Sequence, residues 1–572
     1  MNEHNQNGKG QIKAKNSKNL FFSGVLILTL SNIIVKVLGA FLKVPLASES
    51  LLGNRGIGYY QAAYEIYVWF YTVSTVGLPI AVSIMISGAR AKGRFKDSKR
   101  MFKVIFGVFL VIGIVGTALM AGFSKFFAGQ YKQPIEWCIL VISPTLLLVC
   151  VSSAFRGYFQ GHQSMTPTAI SEVIEAVGKF ALGILFAKYA LNRGYQLHIV
   201  AAYALVGLTV GTALGMLYLF ITKLFFKEEE YNASIDVAAD EEYVTPTKTI
   251  IKTLFMIGIP ITISSSVMSL TNVIDGMILS TRLQSLGYTK ELAAALFGNY
   301  KALAVTMFNL PPALIYPISA SIVPLLSRAV SAKNDKLVKG TMNSSLKITA
   351  IISLPCAFGM SALAKPLLGI LFHDKFAVDT AAPLLSVLAP SIFFLSMLSV
   401  TNSFLQAHGH QQLPIVSMVA GAVFKLLSTF FLIGIIGSAV GSPGAVKDLE
   451  VCLPKFRTVM FAAPVGTFLC YLVTMLLNFF FVAKKIKYTP NIGKIFVKPF
   501  ISALVCALSA FCVYYYLPIG HSIVRTVLAV FAAVIVYFVL IFVLKALERD
   551  DILLLPKGEK IYGALNRLKF VR

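Results

Sequence analysis

The chain has 572 residues, 57% of them hydrophobic and only 13% charged, with a mean hydropathy of +0.76. A globular protein carries about 25% charged residues, so this composition leaves no room for a large soluble domain. The formal net charge of +26 does not point to nucleic acid, because the basic residues fall in short gaps between apolar runs and not on the face of a folded domain.

A helix that crosses the hydrocarbon layer needs about 20 mainly apolar residues. Fourteen such runs follow one another: 20–42, 59–88, 102–123, 136–158, 167–189, 198–222, 250–280, 294–327, 346–372, 382–406, 413–438, 458–482, 497–517 and 522–545. The fold class expected is an all-α polytopic membrane protein of about 14 transmembrane helices. The first run follows Lys9, Lys13, Lys15 and Lys18, but it exceeds the apolar stretch of a signal peptide and no cleavage site follows, so it reads as an uncleaved span. Roughly 33 Lys and Arg fall in the tails and even-numbered loops against about 13 in the odd-numbered loops, which places both termini in the cytoplasm. The strongest single signal is the cluster Arg90, Lys92, Arg94, Lys96, Lys99, Arg100 and Lys103 after the second span. The segment 223–249 carries Glu228, Glu229, Glu230, Asp240, Glu241 and Glu242 and reads as a solvated linker. The outer loops are short, the longest being 439–457, which argues against a catalytic domain outside the bilayer. Seven cysteines without a C-x-x-C pair suggest neither a disulfide framework nor a zinc site.

The chain repeats itself. Pro79-Ile80-Ala81-Val82-Ser83-Ile84 with Arg90 reappears as Pro317-Ile318-Ser319-Ala320-Ser321-Ile322 with Arg328 at the same offset. Phe159-Gln160-Gly161-His162 and Lys179 reappear as Leu405-Gln406-Ala407-His408 and Lys425. Six spans per repeat give both repeats the same orientation, the arrangement in which substrate binds between halves that rock. The division expected is a basic tail 1–19, an N-lobe 20–222, the linker 223–249, a C-lobe 250–482, an extra hairpin 483–545 and a basic tail 546–572.

Five lysines fall within spans: Lys36, Lys179, Lys301, Lys365 and Lys425. An intramembrane charge costs several kcal/mol and marks a functional site by default. Lys365 lies near enough to an interface to snorkel. Lys179 has Glu175 four residues before it and Glu172 on the same face, so it also fits a tie between helices. Lys36 has no such acid and is followed by Gly39 and Ala40, which makes it the preferred anion ligand. Lys36, Lys179, Lys301 and Lys425 together would suit a polyanion such as a pyrophosphate. Glu65, Glu172, Glu175 and Asp275 are candidate partners for these lysines or for a coupling cation. Pro79, Pro260, Pro311, Pro312, Pro317, Pro324 and Pro355 free backbone groups within spans and mark kinks or hinges, with helix packing as the alternative reading.

Walker A, H-E-x-x-H, G-x-S-x-G and dinucleotide patterns are absent, so the chain reads as a transporter and not an enzyme, without catalytic residues or a metal site. His408 and His410 lack a third ligand and read as a polar loop. No cofactor is expected; energy would come from the membrane potential or from H+ or Na+.

Three stretches carry a family resemblance: Gly77-Leu78-Pro79-Ile80-Ala81-Val82-Ser83, Phe155-Arg156-Gly157-Tyr158-Phe159-Gln160-Gly161 through Met165-Thr166-Pro167-Thr168-Ala169-Ile170-Ser171, and Asn309-Leu310-Pro311-Pro312-Ala313-Leu314-Ile315-Tyr316-Pro317 through Pro324. They resemble the stage V sporulation protein B group, a polysaccharide-biosynthesis branch of the multidrug/oligosaccharidyl-lipid/polysaccharide exporter superfamily, related to the MurJ-type lipid II flippases. The resemblance implies two pseudo-symmetric six-helix lobes with a C-terminal helix pair, as in MATE and MurJ-type proteins, a groove for the lipid tail on that pair, and alternating access. The substrate implied is an undecaprenyl-pyrophosphate-linked saccharide, lipid II or a related precursor for cell wall or spore cortex, flipped from the inner to the outer leaflet. Membrane lipids and cell-wall synthesis proteins are the further partners implied, with the chain a monomer in the bacterial cytoplasmic membrane. Lys36 matches a position where relatives carry arginine; lysine meets phosphate as a point charge and not as a planar fork. Two other readings remain, a cation-coupled multidrug exporter relying on Glu65, Glu172 and Asp275, and a non-transporting scaffold for envelope synthesis.

Overall fold

In lipid no backbone N–H or C=O can be left unpaired, and an apolar segment satisfies its own groups by coiling into a helix. The computed structural model describes residues 27–28, 30–75, 77–226, 243–440, 459–517, 520–544 and 546, and it is helical along most of them. Ten helices among the described residues are long and apolar enough to cross a bilayer. Two further pairs, Thr247–Ile263 with Ser265–Ser285 and Lys375–Leu388 with Ser391–Ala407, bend by 42° and 45° at short breaks and raise the number to twelve. Fourteen is not reached on length and composition, for a physical reason in each remaining run. Helix Thr166–Asn192 carries Glu172, Glu175, Lys179 and Lys188. The other run is divided into Lys290–Gly298, a π-helical turn Asn299–Ala304, Val305–Phe308 and Leu310–Ser331.

Prolines set where several helices begin. Pro79, Pro144, Pro167 and Pro499 occupy the first or second helical position, where the absent N–H has no intrahelical partner to lose. Pro311 and Pro312 follow directly on the break at Asn309 and open helix Leu310–Ser331, inside which Pro317 and Pro324 also lie. Pro260 lies three residues before the end of Thr247–Ile263, and Pro355 lies inside Asp335–Ala362.

The described residues form two compact units, one within Met1–Pro45 and Ala62–Leu270, the other within Leu46–Gln61 and Thr271–Arg572. In the first, Thr166–Asn192 and Leu197–Leu224 pack backbone to backbone. The latter presents Gly207, Gly211 and Gly215 at every fourth residue, a small-residue stripe that lets helices approach closely. A Cβ at Gly211 would stand 2.5 Å from the Lys179 backbone nitrogen and 2.9 Å from the Gly178 carbonyl carbon, so no other residue fits there. In the second unit Met342, Leu346, Met397, Phe404 and Leu405 are buried in an apolar core joined by Ala503 and Ala529 of the last two helices.

The duplication extends to the helix ends. His162 caps Pro144–Gly161 and its Nδ1 lies 2.9 Å from Tyr158 O, while His408 caps Ser391–Ala407 with Nδ1 2.8 Å from Phe404 O. The residue after each histidine is left-handed, Gln163 at φ 59 and Gly409 at φ 80. A second shared feature ties the segment after each sixth helix to the third helix of its repeat. Thr245 donates to Asp97 from both N (3.0 Å) and Oγ1 (2.5 Å). In the second unit the Tyr488 hydroxyl donates to Asn343 Oδ1.

The six described cysteines are free. The tail 1–19, the acidic residues 228–242 of the linker, residues 441–457 of the longest outer loop and the tail from 547 lie outside the described residues.

Candidate functional site

In the first unit the close helix pair positions a cluster of charge. Glu175 and Lys179, one turn apart, pair at 2.5 Å. The other Glu175 oxygen accepts from Arg156 Nη2 at 2.8 Å, and Arg156 Nε donates to Ser171 Oγ at 3.3 Å. Thr212, beside Gly211 on the facing helix, shares its hydroxyl proton between Leu208 O of its own helix at 3.0 Å and Glu175 Oε1 at 3.2 Å. One carboxylate thus receives three donors from three helices. The side chains keep some access, with exposures of 12% for Arg156 and Glu175 and 24% for Lys179. Glu172, one turn earlier, is partly buried, and its Oε2 has no hydrogen-bond partner among the described residues.

The second unit arranges its matching lysine differently. Lys425 donates to Asn272 Oδ1 at 2.9 Å and stands 3.3 Å from Asp275 Oδ2, with Lys425 and Asp275 each 1% exposed. The residue one turn before Lys425 is Gly421, where any side chain would collide with Thr474 Oγ1 and Cys470 O. The acid therefore comes from another helix. Asn402, at the position matching Arg156, accepts from Asn478 Nδ2 at 2.6 Å. A third stretch of the duplication becomes apparent here: Ser31-Asn32-Ile33-Ile34-Val35 of the first helix corresponds to Thr271-Asn272-Val273-Ile274-Asp275. The acid beside the repeated lysine sits at Glu175 in one repeat, where the other has Gly421. In the second repeat it sits at Asp275, where the first has Val35.

Lys36 is exposed on helix Leu30–Ala47, and Glu65 is partly buried on Gly53–Thr75. Lys301 lies in the π-helical turn at 4% exposure, 5.8 Å from the ring centre of Tyr300 and 5.9 Å from that of Phe297. Lys365 sits at the start of Ala364–Leu371, is 63% exposed and pairs with Asp379 at 2.7 Å. The second unit also holds an apolar groove of about 730 Å³, walled by Phe358, Phe393, Phe394, Phe479, Phe496 and Phe500. It borders helix Lys498–Tyr516, but no lining residue comes from Ser522–Val543, so it is not a groove of the last helix pair.

Arg156 was not among the intramembrane charges read from the sequence, because it falls within three residues of the end of its apolar run and passes for a span-end residue. The signals that could have found it are Glu172 and Glu175, two acids with one local lysine, and the Gly207, Gly211, Gly215 stripe that brings a third helix face close.

The family model for polysaccharide biosynthesis proteins matches residues 21–330, more than half of the chain. The chain belongs to that family. A second family model, MatE, matches residues 260–431, so both halves find relatives in the same exporter superfamily. Among curated proteins it is 24% identical to stage V sporulation protein B of Bacillus subtilis (strain 168), over 74% of this chain and 81% of that one. It is 25% identical to the lipid II flippase MurJ of the same organism, over 71% of this chain and 76% of the relative. Among solved structures, a lipid II flippase MurJ in an inward closed conformation superposes with a TM-score of 0.62 at 15% identity, covering 91% of this chain and 98% of that one. The fold is that of this superfamily, and the protein is a multi-pass membrane transporter.

Proposed function

We propose that the protein flips a lipid-linked anionic saccharide, of the undecaprenyl-pyrophosphate type, between the leaflets of the bacterial cytoplasmic membrane by alternating access. The observation that carries this reading is a partly exposed cluster of charge on spans of a chain that has a lipid II flippase among its relatives: Arg156 and Lys179 meet on Glu175 between helices packed by glycine, and charges held within spans are costly unless they have a role. Lys36 and Lys179 take the part of headgroup ligands. Lys301 and Lys425, at 4% and 1% exposure, fit ties within their own unit better than ligands for a large headgroup. The phenylalanine-walled groove suits an apolar tail. The Lys and Arg distribution supports a topology with both termini in the cytoplasm.

The test is flipping of a fluorescent undecaprenyl-pyrophosphate saccharide in proteoliposomes. The native chain is expected to flip it, and Lys36→Ala, inserted and folded equally, to be slower by roughly tenfold, the weight of one charge-assisted contact. Absence of native flipping across varied potentials, H+ gradients and Na+ gradients would overturn the reading.

A further inference from the structure

We infer that Arg156 and Lys179 form a clamp for the diphosphate of the lipid headgroup, and that Glu175 holds the clamp shut until the headgroup displaces it. This rests on the flippase reading and adds to it one binding residue, Arg156, and one positioning residue, Glu175.

The donors that meet the Glu175 carboxylate are those a phosphate group takes. The guanidinium meets one oxygen through Nη2 alone, an ammonium and a hydroxyl meet the other, all within 2.5 to 3.2 Å, and the guanidinium keeps further N–H groups that a diphosphate, with more oxygens than a carboxylate, can take as a fork. Arg156 thereby supplies the fork that Lys36 cannot. Its orientation is fixed from two sides, by Glu175 at Nη2 and by Ser171 at Nε, so the fork is held ready before a ligand arrives.

Charge decides that the carboxylate must yield. Arg156 and Lys179 face Glu175 and Glu172, so with both acids ionised the cluster is neutral and offers a dianion no net attraction. A diphosphate carries more charge on more oxygens than a carboxylate and competes for the same donors. Glu175 is displaced in the act of binding. When it regains its three donors it expels the headgroup, which gives the site a means of release as well as capture. The matching site of the second repeat cannot work this way. Asn402 replaces the arginine, Gly421 replaces the glutamate, and the lysine is 1% exposed.

The test is binding of geranyl diphosphate, a water-soluble isoprenoid diphosphate, to the purified full chain in detergent, followed by flipping in proteoliposomes. Glu175→Gln removes the competing charge while keeping an acceptor, and is expected to bind geranyl diphosphate roughly tenfold more tightly yet flip the full lipid more slowly than native. A residue that only ties helices together would not tighten binding when neutralised. Arg156→Lys keeps the ion pair and loses the fork, and is expected to bind roughly tenfold more weakly with unchanged thermal unfolding. Native affinity in a folded Glu175→Gln overturns the clamp, as does weaker binding there. If Glu175→Gln does not fold, native affinity in Arg156→Lys overturns it. Failure of the flippase reading is distinct, since it shows as no flipping by the native chain whatever the variants bind.

Discussion

Lys179 and Lys425 stand 246 residues apart at matching positions of the two repeats, and their surroundings have diverged. The first is 24% exposed and shares a carboxylate with an arginine and a threonine. The second is sealed at 1% exposure against one aspartate and one asparagine. The helix caps at His162 and His408, and the ties Thr245–Asp97 and Tyr488–Asn343, are retained in both units. The frame is therefore held in common, and the difference lies in where the acid is placed. An acid one turn away on the same helix leaves the lysine reachable, whereas an acid on another helix closes over it. A reachable cluster can exchange partners with a ligand. A sealed pair can only hold its unit together, because separating it would strand a charge away from water.

The largest effect is expected at the sealed pair. Asp275→Leu leaves Lys425 buried without its counterion and should cost about 3–5 kcal/mol in a denaturant titration in detergent, while the double change Asp275→Leu with Lys425→Met should recover most of it. A mild effect of Asp275→Leu would remove the distinction between the two lysines. Glu175→Gln in the first unit should cost less, about 1–2 kcal/mol in the same titration, because solvent reaches the two cations it leaves behind. The smallest effects belong to the shared ties. Asp97→Ala and Tyr488→Phe should each cost about 1 kcal/mol, and similar values would confirm that the two ends do equivalent work. Burial pushes the Tyr488 phenol well above its ordinary range. With the folded value raised above the unfolded one, this tie is kept in full below about pH 10 and lost as pH rises further, a dependence that Tyr488→Phe should abolish.

Most of the helical frame was legible because each span must be a long apolar run, and even the bent and broken segments fall on predicted runs. The count was less legible, since Glu172, Glu175 and Lys179 make one helix too polar, and the π-helical turn at Asn299–Ala304 interrupts another. The pairing of Glu175 with Lys179 could be read from i,i+4 spacing. That of Lys425 with Asp275 could not, because 150 residues separate them and only packing brings them to 3.3 Å. Arg156 escaped for a related reason: closeness to the end of an apolar run is a poor guide to exposure when a neighbouring helix covers that end.

The most direct test compares flipping of the undecaprenyl-pyrophosphate saccharide by native chain, by Lys179→Gln and by the Asp275→Leu, Lys425→Met double variant, all at matched insertion and thermal stability. The expected result is that Lys179→Gln loses flipping by tenfold or more, roughly one charge-assisted contact, while the double variant stays within about twofold of native. Native flipping by Lys179→Gln, or loss of flipping in the folded double variant, would contradict the division of labour between the two lysines.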